Sequence, residues 1–146
     1  MTKTLGRLFL VPALLGNTTP EKVLPQGTLD MVRTLRFFVV ENVRTARRML
    51  SKMKMPCPIE ELVFVELDKH NIANPDFMTY LAPALDGHDI GLMSEAGTPC
   101  VADPGALIVE LAHQAGITIV PLTGPNAMIL ALMASGFNGQ SFAFHG

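Results

Sequence analysis

The sequence has no tryptophan, one tyrosine and only two cysteines, Cys57 and Cys100, in 146 residues. Two cysteines so far apart form neither a disulfide framework nor a metal-ligand spacing. The four histidines are scattered and supply no ligand set either, so no metal is expected. No apolar run approaches the roughly 20 residues of a membrane helix. The start, Met1 to Arg7, leads into a short strand-like run and not into a signal-peptide core. A cytoplasmic protein with no membrane contact is the simplest expectation. The common nucleotide fingerprints are missing too. No G-x-G-x-x-G follows the first strand, and G-x-x-x-x-G-K-[ST] is absent throughout. Lysine and arginine stop at Lys69. Residues 1–69 hold 11 basic and 7 acidic side chains, whereas residues 70–146 hold 6 acids and no bases. A compact domain with this split presents regions of opposite sign unless its halves interleave.

What is present is apolar. Hydrophobic residues make up 49% and charged residues 16%, which favours a buried sheet. Five short runs read as strands: Leu8–Val11, Phe37–Val40, Leu62–Val65, Ile90–Met93 and Ile117–Val120. Helical spacing separates them, at Leu29–Leu35, at Val43/Ala46/Leu50/Met53, at Pro75–Leu85, at Ala106–Ala115 and from the Asn126 cap through Met133. Phe77, Met78, Leu81 and Leu85 are the expected inward residues of the third helix, with Pro83 as a candidate stop. Gly16–Gly27 reads as a polar loop, and Phe142-Ala143-Phe144 as the start of a further element. Strands that are continuous apolar runs, alternating with helices, signify an α/β fold. Its parallel five-stranded sheet has helices on both faces.

In such a sheet ligands bind beyond the carboxyl ends of the strands. Three unusual loops fall there. Pro12-Ala13-Leu14-Leu15-Gly16-Asn17 follows the first strand. Ser94-Glu95-Ala96-Gly97-Thr98-Pro99-Cys100-Val101-Ala102-Asp103-Pro104-Gly105 follows the fourth. Pro121-Leu122-Thr123-Gly124-Pro125-Asn126 follows the fifth. Each mixes Pro, Gly and small polar residues, and none carries Lys or Arg. Asp103-Pro104 reads as a helix cap with proline at the first helical position. A rim of backbone amides, hydroxyls and a few acids suits a ligand with amide-like, hydroxyl and cationic parts better than a triphosphate.

These loops, together with Leu8-Phe9-Leu10-Val11-Pro12, resemble the tetrapyrrole-methylase-type S-adenosylmethionine methyltransferases. The nearest group is ribosomal RNA small subunit methyltransferase I, which methylates a cytidine ribose 2′-oxygen. The resemblance implies the first of two α/β domains, with the methyl donor in the cleft between them. It thus makes residues 1–146 an N-terminal domain whose second domain is absent, and implies a homodimer. Carried over by position, Ser94, Ala96, Gly97, Thr98, Val101, Asn126 and Ala127 match donor contacts, along with Pro12, Leu14 and Gly16 of the first loop. Leu14 replaces a family proline. Glu41-Asn42-Val43-Arg44 stands where the rRNA enzymes carry Glu-Asp-Thr-Arg, and Glu95 where they carry Asp. His70-Asn71 resembles a family pair after the third strand.

Transfer of a methyl group to a ribose hydroxyl needs alignment above all, and a base helps. Glu41, Glu95 and Asp103 are the rim carboxylates. Glu41 and Arg44 are the residues assigned to face substrate, although an ion pair between them one turn apart is the plainer alternative. Cys100 lacks a partner base and reads as packing. Arg44, Arg48 and Lys52 form an i, i+4, i+8 stripe suited either to RNA phosphates or simply to water. The expected partner is rRNA or a ribosomal subunit. A tetrapyrrole methyltransferase, a nicotinamide-dependent oxidoreductase and a non-catalytic cofactor-binding module are the competing readings.

Overall fold

A computed structural model describes residues 3–67 and 77–146. Five parallel strands form one sheet in the order β3-β2-β4-β1-β5. They are β1 (Arg7–Val11), β2 (Phe37–Val40), β3 (Val63–Glu66), β4 (Ile90–Met93) and β5 (Thr118–Pro121). Among the described residues the α-helices are α1 (Pro20–Val23), α2 (Gln26–Thr34), α3 (Val43–Lys52), α4 (Phe77–Leu85), α5 (Gly105–Gln114) and α6 (Ala127–Ser135). The expected α/β architecture is therefore the one observed.

Side chains alternate across the sheet, so each strand feeds two cores. Phe9, Val11, Phe38, Val40 and Met93 pack with α2 and α3 through Leu29, Val32, Ala46 and Leu50. Leu8, Val39, Ile90 and Leu92 pack with α4 and α5 through Leu81, Ala84, Ile108 and Ala112. Burying both faces of β1, β2 and β4 explains their unbroken apolar runs. The edge strands β3 and β5 each leave both end residues exposed. From β1 the chain moves toward β2, and from β4 it moves toward β5. Neighbouring strands thus send their loops in opposite directions, and a crevice opens between them.

Several expectations need correction. The Gly16–Gly27 segment is not all loop: α1 lies within it and α2 begins at Gln26. Pro83 does not end α4 but sits in its last turn. Met78 is 57% exposed, so it is not an inward residue of that helix, whereas Leu81 is fully buried. Strands β3 and β5 sit one residue further along than their apolar runs suggest. Phe142-Ala143-Phe144 forms no regular element. Pro75, His70 and Asn71 lie outside the described residues.

Candidate functional site

The three loops gather at one rim, and backbone contacts lock them together. The Ala13 N–H of the β1 loop donates to the Gly97 carbonyl at 2.8 Å. The Thr98 N–H of the β4 loop donates to the Pro125 carbonyl of the β5 loop at 3.0 Å. Asn126 Nδ2 donates to Thr98 Oγ1 at 2.7 Å, while its Oδ1 caps α6 by accepting from the Ile129 N–H at 3.1 Å. Glycine is required where these chains cross. Gly97 has φ +67°, and a Cβ there would stand 3.0 Å from the Pro125 oxygen and 3.2 Å from Leu15. A Cβ on Gly124 would collide with the Pro12 ring. The first loop therefore touches both others.

Between them lies an open cavity of 330 Å³, within the range of small-molecule sites. Leu15, Ala96, Gly97, Thr98, Val101 and Asn126 line it, with Glu41, Glu95 and Asp103 supplying carboxylates. Ser94, Ala102, Ala127 and Met128 complete the wall.

The β4 loop is held in a demanding shape. Cys100 and Ala102 adopt φ +71° and +56° without being glycine, at a cost of order 1–3 kcal/mol each. The Asp103 carboxylate offsets part of this by accepting two N–H groups, from Cys100 at 2.8 Å and Gly105 at 2.7 Å. Helix α5 starts at Gly105, with Pro104 rather than Asp103 in the cap position. Asp103 nonetheless satisfies the first helical N–H. Burial raises its carboxyl pKa above the ordinary value. The two N–H bonds oppose that rise, and the Glu41 charge adds to it. Burial also pushes the Cys100 thiol up to about 12, with help from Asp103. A thiol so rarely ionised is no nucleophile, which fits a packing role.

Glu41 belongs to the cavity. Its Oε2 accepts the Glu95 N–H at 2.9 Å, tying the end of β2 to the β4 loop. Arg44 does not line the cavity; it is exposed in the first turn of α3. Among the described residues it forms no ion pair, so the Glu41–Arg44 pairing is absent.

The expected donor residues divide accordingly. Ser94, Ala96, Gly97, Thr98, Val101, Asn126 and Ala127 come together on one wall. Pro12 and Leu14 do not line it. Both are buried, Leu14 among the core residues beside Phe9 and Leu24, while Gly16 is exposed further along the loop. Leu15, one residue on from Leu14, faces the cavity instead. A one-residue choice within an irregular loop has no periodicity to reveal it. Met128 and Ala102 were likewise missed; Met128 lies in the first turn of α6, and capping by Asn126 was the only hint to its position.

On its far side the cavity shares Val101, Asn126, Ala127 and Met128 with an apolar groove of 660 Å³. Ile129 and Leu132 of α6, with Phe142 and Phe144, line the rest. No residue of α6 is buried. Met133 is 73% exposed, although the helix is apolar on every side.

No protein-family model matches the chain. Curated proteins named ribosomal RNA small subunit methyltransferase I do match it. The Vibrio cholerae protein is 35% identical over 139 residues, covering 95% of this chain and 45% of its own length. That of Escherichia coli O157:H7 is 33% identical over 141 residues, 97% of this chain and 46% of its own. That of Xylella fastidiosa is 32% identical over 145 residues, 98% and 49%. The chain therefore spans about half the length of the curated relatives it matches.

Proposed function

We propose that this chain, homologous over nearly its whole length to ribosomal RNA small subunit methyltransferase I proteins, forms the donor-binding wall of an S-adenosylmethionine-dependent rRNA methyltransferase. The observation that carries the reading is the three-loop cavity. Backbone groups of Ala96, Gly97 and Thr98 would hold the polar parts of the donor, and Leu15, Val101 and Met128 its apolar surface. Three carboxylates, Glu41, Glu95 and Asp103, face a space where a sulfonium and an ammonium would be welcome. The residues present fit such a ligand.

The donor supplies an activated methyl carbon. When bound against Leu15, Ala96, Gly97, Thr98, Val101 and Met128, the donor would offer that carbon to a ribose 2′-hydroxyl as the acceptor. The hydroxyl proton must leave, and Glu41 is the assigned acceptor because its carboxylate lies on the cavity wall and is oriented by the Glu95 N–H. Arg44, exposed in the first turn of α3, is assigned to the RNA side. Most of the acceleration would come from holding oxygen, methyl and sulfur in line.

The second wall belongs to a second domain. The half-length match supports this, and so does the uncovered apolar face of α6 beside the cavity. The same face suits a homodimer, and an rRNA substrate implies a cytoplasmic setting.

Calorimetry on this chain tests the reading. S-adenosylhomocysteine should bind and NADH should not. Gly97→Ala should weaken binding at least tenfold, because its Cβ meets the Pro125 oxygen. Preference for NADH, or no binding of S-adenosylhomocysteine, would overturn the proposal.

A further inference from the structure

The two helical layers differ in charge. Residues 20–54, which hold α1, α2 and α3, carry eight Lys and Arg against three acids. Residues 77–116, which hold α4, the cavity loop and α5, carry five acids and no base. The halves of the sequence interleave in the sheet, but the layers outside it do not mix.

Within the basic layer, α3 is the organised part. It buries Ala46, Met49 and Leu50 against the sheet, so its outer face is fixed in place. Arg44, Arg48 and Lys52 lie along that face, exposed and, among the described residues, without ion pairs. Their i, i+4, i+8 spacing sets them about 6 Å apart along the axis. Arg47 turns aside to cover the Phe64 ring, 5.5 Å from its centroid. At the start of the helix the Glu66 carboxylate accepts the Val43 N–H at 2.8 Å. Glu60 and Glu61 sit in a 3₁₀ turn on the β3 side of the helix.

The stripe also leads somewhere. Its upper end, Arg44, follows three residues after Glu41 of the cavity. At its lower end Lys52 lines a surface cleft of 410 Å³ with Asn17, Thr18, Thr19, Lys22 and Lys54. Lys54 is paired there with Glu21 at 2.8 Å, whereas Lys22 and Lys52 form no ion pair among the described residues.

We propose that Arg44, Arg48 and Lys52, continued by Lys22, form a track for consecutive phosphates of an RNA strand whose target nucleotide enters the cavity. This rests on the RNA methyltransferase reading above. A line of evenly spaced single charges fits a polymer with evenly spaced charge. An acidic protein partner would want several apolar anchors among the cations; within residues 20–54 Val23 alone is an exposed large hydrophobic, whereas Ile129, Leu130, Met133, Phe137, Phe142 and Phe144 lie on or after α6.

The test is fluorescence anisotropy of a labelled single-stranded RNA with this chain, titrated at several salt concentrations. Each phosphate contact on a single strand contributes about 0.7 to the slope of log K against log salt. Arg48→Ala/Lys52→Ala should flatten that slope by about 1.4. The affinity lost between 50 and 200 mM salt then shrinks about sevenfold. Lys3→Ala, at the opposite rim where Lys3 pairs with Asp86, should leave the slope unchanged. S-adenosylhomocysteine binding by the double variant should match that of the parent chain. RNA binding with an unchanged slope would overturn the track and leave the RNA reading standing. If instead polyglutamate bound and RNA did not, both would fall, while donor binding would still be measured separately.

Discussion

Helices α3 and α6 begin alike and then diverge. Each opens at the cavity with an asparagine cap in extended conformation: Asn42 accepts from the Thr45 N–H and Asn126 from the Ile129 N–H. Helix α3 then splits its residues into a buried apolar face and a basic outer one. Helix α6 has no such division; Ile129, Leu130 and Met133 are 45%, 46% and 73% exposed. The first helix is finished as it stands, for water or a polyanion. The second has the composition of a buried element and lacks a cover. Of the two helices beside the cavity, one thus presents charge to its surroundings and the other an apolar surface.

The largest effect should come from giving α6 an outer face like that of α3. Ile129→Glu/Met133→Glu replaces two exposed apolar side chains without removing a core contact. We expect the parent chain to self-associate as its concentration rises and the variant to remain monomeric in sedimentation experiments. A parent chain that stays monomeric at all concentrations would mean that the exposed face is tolerated without a partner. The caps give a finer contrast. Asn42→Ala should destabilise the chain by about 1 kcal/mol. Asn126→Ala should cost about 2 kcal/mol, because the bond to Thr98 goes with the cap. Chemical denaturation reads both. Only the Asn126 variant should also weaken S-adenosylhomocysteine binding, since only that cap is tied to the β4 loop.

The same contrast explains what the sequence disclosed. Elements fixed by local pattern were legible: the five strands, the apolar face of α3 and the cap at Asn126. So was the gathering of three loops, because parallel strands must place their carboxyl ends on one side. Details decided by tertiary contact were not. Whether Leu14 or Leu15 faces the cavity depends on where the loop crosses Gly97. The end of α4 at Leu85 rather than Pro83 depends on packing through Leu81 and Ala84. The charge split of the sequence was visible, but its sorting into opposite helical layers needed the strand order.

The smallest predicted effect concerns the carboxylates between the two helices. Asp103 titrates above its ordinary value, chiefly through burial and in part through the Glu41 charge. In the free chain its contribution to stability is therefore full below the ordinary carboxylate range and is lost as pH rises through the raised value. Asp103→Asn should remove that slope, read by denaturation at a series of pH values. A cationic ligand reverses the sign, because it favours the ionised carboxylate. S-adenosylmethionine and S-adenosylhomocysteine differ by the sulfonium charge, so their affinity ratio should move toward the sulfonium by a few-fold, about 2–5, as pH rises through that window. Glu41→Gln removes one of the charges and should reduce the gain. A ratio that stays flat with pH would mean that the carboxylates do not face the sulfur, and that the basic and apolar helices flank some other part of the ligand.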